Sequence, residues 1–193
     1  MKTTQNHNSI QTSKRFSTKK LVTLALFTAL TYVVSLLSFP VFPATPYLKL
    51  DFGNVFILLS GFLFGPVEGI IVCLVKEVLS LINSSSGGVG EIANFIMTSS
   101  YILIPSIVYR YRKGLKAVLV SLVGACFAGT AVATLTNRFI VFPLYMGDKA
   151  PAVFNSVFWF VVGFNLIKTV AISAVTFLLY KRLSGVLKKF AVT

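Results

Sequence analysis

Asn165 and Lys168 sit at the centre of "VFWFVVGFNLIKTVAISAVTFLLY" (157–180), a stretch otherwise almost wholly apolar. Three residues apart on a helix, they share a face. An asparagine amide offers both a donor and an acceptor, and a lysine ammonium offers donors only. The chemistry this pair supports is hydrogen bonding. A lysine at the middle of a membrane helix costs about 2.5–3.5 kcal/mol, so it needs a stronger reason to be there than the Ser, Thr and Asn residues that join membrane helices.

Other polar residues fall into register with this pair. Thr130, Thr134 and Asn137 share one face near the end of an apolar run at 117–136, and Glu91 and Asn94 open another at 92–109. In the run at 67–82, Gly69, Cys73, Lys76, Ser80 and Asn83 form a small and polar stripe, with Ile71, Leu74, Val75, Val78 and Ile82 on an apolar one that could face lipid. Lys76 then points into a bundle or snorkels along it. Lys76 and Glu77 are adjacent, so they point different ways and do not read as a pair. The polar groups concentrate toward one half of the bundle, which implies a pocket open to one side.

Several function classes are excluded. The lone His7 lies in a polar tail, and no cluster has the spacing of a zinc or iron site. No paired carboxylates, G-x-S-x-G, H-E-x-x-H or Walker A motif is present. The chain reads as no enzyme, and a partner must supply the energy if it concentrates a solute. Cys73 and Cys126 lie inside apolar runs and read as small hydrophobic packers rather than a disulfide framework.

The elements that position these residues must be membrane helices. Of 193 residues 55% are hydrophobic and 12% charged, with a mean hydropathy of +0.84; a soluble domain carries about 25% charged residues. The net charge of +13 does not point to nucleic acid, because thirteen of the eighteen Lys and Arg residues flank apolar stretches, as the positive-inside rule expects. Apolar runs at 21–39, 52–64, 67–82, 92–109, 117–136 and 152–180 make six candidate spans. The first is too long for a signal-peptide core and lacks the cleavage pattern. The second is short for a bilayer, and parity supports it. Both basic ends and the basic loop at 110–116 must lie inside, which demands an even number of spans. Pro40, Pro43 and Pro46 predict a loop after the first helix, "GPVEG" (65–69) a tight turn with Glu68 in a helix's first turn, and 83–90 and 137–151 outer loops.

In order along the chain stand "ALFTAL", "FPATPYLKLDF", "GPVEGIIVCLVKEVL", "GVGEIANF", "TLTNRFIVFPLY" and "GFNLIK". On these segments, over about residues 20–185, the chain resembles the substrate-binding S components of bacterial energy-coupling factor (ECF) transporters, and among them the riboflavin-specific members. The resemblance implies an all-α integral membrane protein with six transmembrane helices and both termini cytoplasmic, multi-pass in the bacterial cell membrane. Residues 1–20 become a disordered basic tail, 21–183 the substrate-binding domain and 184–193 a second basic tail. It implies partners: a membrane coupling subunit, met by Ala25 and Ala29 on the first helix, and two ABC-type ATPases. Small residues four apart do permit such close helix contact.

The resemblance also implies a flavin site at Asn137, Asn165 and Lys168, joined by Tyr47 and Leu48 before the second helix and by Glu91 and Asn94. A flavin ring has a uracil-like edge with two carbonyls flanking an N–H, which suits Asn and Lys, and a flat apolar body that suits Phe, Leu and Val walls. Riboflavin, with FMN as a second candidate, is then the transported substrate, with no cofactor. No role for Lys76–Glu77 is implied, and no partner for Lys168 when the pocket is empty. Two alternatives stand beside this reading: an S component for another vitamin, such as thiamine or a pantothenate-like compound, and a membrane scaffold or channel without a tight ligand. A flavin receptor would emerge from detergent yellow with its fluorescence quenched; a scaffold would not.

Overall fold

The structure, a computed structural model, describes residues 18–43, 45 and 47–190, with side chains described as far as Arg182. Among them run α1 (Thr18–Ser35), α2 (Asn54–Phe64), α3 (Pro66–Ser80), α4 (Val89–Tyr111), α5 (Leu115–Thr136), α6 (Phe142–Met146) and α7 (Ala150–Phe190). The fold is mostly helical. His7 and most of the expected N-terminal tail lie outside the described residues, although Thr18 to Lys20 already open α1. At the other end α7 continues through Phe190, beyond the expected end of the last span.

The turn between α2 and α3 forms as the sequence predicts. Gly65 adopts φ +116, a left-handed conformation that favours glycine, and donates its N–H to the Gly61 carbonyl at 3.0 Å. Pro66 occupies the first position of α3, where its missing N–H is no loss. Gly69 then faces Gly61 so closely that an added Cβ would lie 3.1 Å from the Gly61 Cα. Glu68 accepts from the Lys20 ammonium at 2.6 Å, tying the start of α3 to α1.

Three segments differ from expectation. The first helix stops at Ser35, and the proline-rich loop contains a short antiparallel hairpin, β1 (Phe39–Pro40) with β2 (Lys49–Leu50). Proline is tolerated on such an edge strand because no ladder N–H is needed on its open side. The region 137–151 is helical, not a loop: α5 passes into a π-turn, Asn137–Val141, then α6 and a 3₁₀ turn at Gly147–Lys149. Residues 83–90 are an ordered turn in which Ser84 Oγ accepts from the Ser86 and Gly88 N–H groups at 3.2 and 3.1 Å.

The main core lies among α1, α2, α3, α4, α5 and α7. At Gly129 an added Cβ would lie 3.2 Å from Tyr101 and 3.3 Å from Thr169, so small residues bring α4, α5 and α7 together. Tyr101 and Ser173 hydroxyls share a hydrogen bond of 2.6 Å there, with Cys126 Sγ 3.2 Å from Ser173. Both cysteines are buried and free. A second core of Leu48, Leu50, Phe142, Ala150, Phe154, Val161 and Phe164 seats the hairpin on α6 and α7. Outside, the α3 stripe Ile71, Leu74, Val75, Val78 and Ile82 is exposed, as are Leu119, Val120, Val123 and Phe127 on α5. Apolar stripes exposed in this way mark surfaces that meet lipid or a protein partner. Among the described residues, Val89–Tyr111 and the continuous helical stretch Leu115–Arg182 are long and apolar enough to cross a membrane.

Candidate functional site

The seven residues expected to hold a ligand, Tyr47, Leu48, Glu91, Asn94, Asn137, Asn165 and Lys168, all line one cavity of about 790 Å³. That volume lies within the roughly 300–1,000 Å³ of small-molecule sites. The walls come from the end of α1, the hairpin, α3, the turn leading into α4 and the start of α4, the end of α5 with the π-turn and α6, and the middle of α7.

Asn137 and Asn165 are buried and arranged alike. Each donates its Nδ2 to the carbonyl four residues back, Ala133 and Val161, at 2.8 Å. Each Oδ1 and second N–H is thereby left for a ligand, so each amide presents one acceptor and one donor. The π-turn supplies an extra residue per turn exactly where α5 ends, hence Asn137 and Val141 are both buried and α6 starts with Phe142 over the cavity. Tyr47 meets the Phe142 ring edge to face at 6.2 Å, and Phe142 meets Phe154 at 5.3 Å, an aromatic roof. Partial burial raises the Tyr47 phenol above its ordinary range.

A relay of buried polar groups crosses the floor. Lys76 Nζ donates to Asp51 Oδ2 at 2.9 Å and to Glu77 Oε1 at 3.0 Å. Asn94 Nδ2 donates to the same Glu77 oxygen. Lys168 Nζ donates to Asn94 Oδ1 at 2.7 Å. This corrects the reading of Lys76 and Glu77 as unpaired neighbours. Their Cα–Cβ bonds do diverge by a helical step, but both lie on the inward side of α3, and the long lysine stem bends its ammonium back to the carboxylate. The relay also supplies the partner of Lys168 in the absence of ligand.

Charges around the cavity balance. Lys49, Lys76 and Lys168 oppose Asp51, Glu77 and Glu91. Glu91 accepts from Ser86 Oγ at 2.6 Å, and Tyr145 Oη donates to the Ser86 carbonyl at 2.7 Å, joining the α3–α4 turn to α6. A neutral ligand with several hydroxyls and carbonyls meets such a lining without leaving a net buried charge.

Asp51, Lys76, Glu77, Ser86 and Tyr145 were not among the expected site residues. Asp51 and Lys76 are 25 positions apart and meet only through the fold. Ala25 and Ala29 are not brought into this cavity. They are exposed on α1 at the opposite end, along a groove of about 940 Å³ bordered by Lys20, Glu68, Arg110 and Lys113. Among the described residues, no cluster of His, Cys, Asp and Glu could hold a metal ion.

Comparison with known proteins adds an independent line. The sequence model of the family described as "ECF transporter, substrate-specific component" matches residues 19–180. A riboflavin transporter, RibU, of Staphylococcus aureus (strain TCH60) is 36% identical over 176 residues, covering 89% of this chain and 93% of that protein. The riboflavin transporter FmnP of Bacillus subtilis (strain 168) is 33% identical, with 86% and 92% covered. A solved structure of the S component of a bacterial ECF transporter superposes with a TM-score of 0.77 at 37% identity, covering 89% of this chain and 98% of that one.

Proposed function

The chain belongs to the substrate-specific components of ECF transporters, and from this premise we propose that its cavity binds riboflavin from outside the cell for uptake driven by partner subunits. The observation that carries this reading is the convergence of Asn137, Asn165 and Lys168 on one cavity roofed by aromatic rings. The two asparagine amides, each with a free acceptor and donor, complement the alternating carbonyls and N–H of a flavin's pyrimidine edge. Lys168 then donates its two spare N–H groups to the flavin's carbonyls, and Ser86, Glu91 and Asn94 serve the ribityl hydroxyls. Two relatives bear the name riboflavin transporter, which supports the same ligand.

In this reading α1, α2, α3, α4, α5 and α7 are six spans of a bacterial cell membrane, with both termini and the basic turn at 110–116 inside. The cavity then opens outward, and the groove along Ala25 and Ala29 faces the coupling subunit near the inner surface. That subunit and two ABC-type ATPases provide the energy, since the chain carries no ATP-hydrolysing motif.

The test is titration of the purified chain with riboflavin, FMN and thiamine, read by quenching of flavin fluorescence and by calorimetry. Riboflavin should bind tightest. FMN adds negative charge, and thiamine positive charge, to a lining already balanced. Tighter binding of thiamine than of riboflavin would overturn the ligand assignment.

A further inference from the structure

Hydrogen-bond chemistry permits one arrangement of the floor. Glu77 as a carboxylate only accepts, and Lys168 as an ammonium only donates. Asn94 between them must turn its Nδ2 to Glu77 and its Oδ1 to Lys168, as it does. On the other side of Glu77, Lys76 holds Asp51, the residue that follows β2 and also accepts from the Gly53 N–H at 2.6 Å. The hairpin that carries Tyr47 and Leu48 is therefore joined to Lys168 through four consecutive polar side chains, Asp51, Lys76, Glu77 and Asn94, with Lys76 and Glu77 at the centre.

We propose that Lys76 and Glu77 are positioning residues that couple the outer hairpin to Lys168, so that a ligand on Lys168 and the hairpin seated over it hold each other in place. Neither residue needs to touch the ligand. Glu77 orients the Asn94 amide, which aims the Lys168 ammonium; Lys76 anchors the hairpin through Asp51. The inference rests on the reading of the cavity as the riboflavin site. A buried pair that merely stabilised the bundle would have no need to reach both a loop and a ligand contact.

The full chain in detergent provides the test, with riboflavin affinity and dissociation rate followed by flavin fluorescence. The double variant Lys76→Met/Asp51→Asn removes one charge of each sign, so the remaining Glu77 and Lys168 still balance. Asp51→Asn alone is isosteric and keeps the Gly53 contact. Both should release riboflavin about tenfold faster than wild type, with the empty protein's melting temperature better retained in the charge-balanced double variant than in Asp51→Asn. Added to Asn94→Ala, which cuts the relay elsewhere, Asp51→Asn should cost less than its separate effect. Wild-type dissociation in Asp51→Asn overturns the proposal, as does an undiminished effect of Asp51→Asn in the Asn94→Ala background. Failure of wild type to bind riboflavin overturns the cavity reading instead, and the coupling with it.

Discussion

Lys168 and Lys76 are both buried lysines in apolar helices, and their removal should have opposite consequences. In Lys168→Met the ligand loses a charge-assisted hydrogen bond worth about 1.5–3 kcal/mol, which is about 10- to 150-fold in Kd. The empty protein loses little. The partner of Lys168 is the neutral Asn94 amide, Glu77 keeps Lys76, and the insertion cost of an ammonium, about 2.5–3.5 kcal/mol, disappears. In Lys76→Met the carboxylates of Asp51 and Glu77 both lose their cation, and breaking such a buried pair costs about 3–5 kcal/mol of stability. Flavin-quench titration and thermal unfolding of the empty protein in one detergent separate the two. The expected pattern is weak binding with a preserved melting temperature for Lys168→Met, and a lowered melting temperature for Lys76→Met. The reasoning fails if Lys168→Met binds riboflavin within about threefold of wild type, or if its melting temperature falls as far as that of Lys76→Met.

Two further outcomes are expected. Ala25→Leu and Ala29→Leu enlarge an exposed face away from the cavity, so riboflavin binding should persist while co-purification with the coupling subunit is lost; complexes recovered at wild-type yield would remove that face from the interface. Gly129→Val would press on Tyr101 and Thr169 and should destabilise the bundle by about 1–3 kcal/mol, a loss checked by thermal unfolding without ligand and refuted by an unchanged transition.

The apolar runs and the inward stripe of α3 were legible in the sequence because both depend on periodicity. Asn165 and Lys168 were legible as a site because a lysine is costly in an apolar helix. The relay was not. Spacing arguments treat adjacent helical residues as diverging, and no pattern announces that Asp51 in a loop will fold back onto Lys76. The hairpin was hidden by its prolines, which suggest a loop wherever they cluster. The helical path from Asn137 to Lys149 was hidden because no apolar run of membrane length covers it, and its helix is only five residues long, with Pro143 in its first turn and Gly147, at φ +52, at its end.

The π-turn at Asn137–Val141 is one residue longer than an α-helical turn would be. The wider turn absorbs that residue and keeps the chain on either side in phase; if the same residues ran on in regular α geometry, everything after them would swing by about 100° around the helix axis. Phe142 would leave Tyr47 and Phe154, and the roof would face elsewhere, though no contact residue had changed its chemical type. The backbone geometry of one turn thus sets where the roof points, a determinant of the pocket that no single side chain carries.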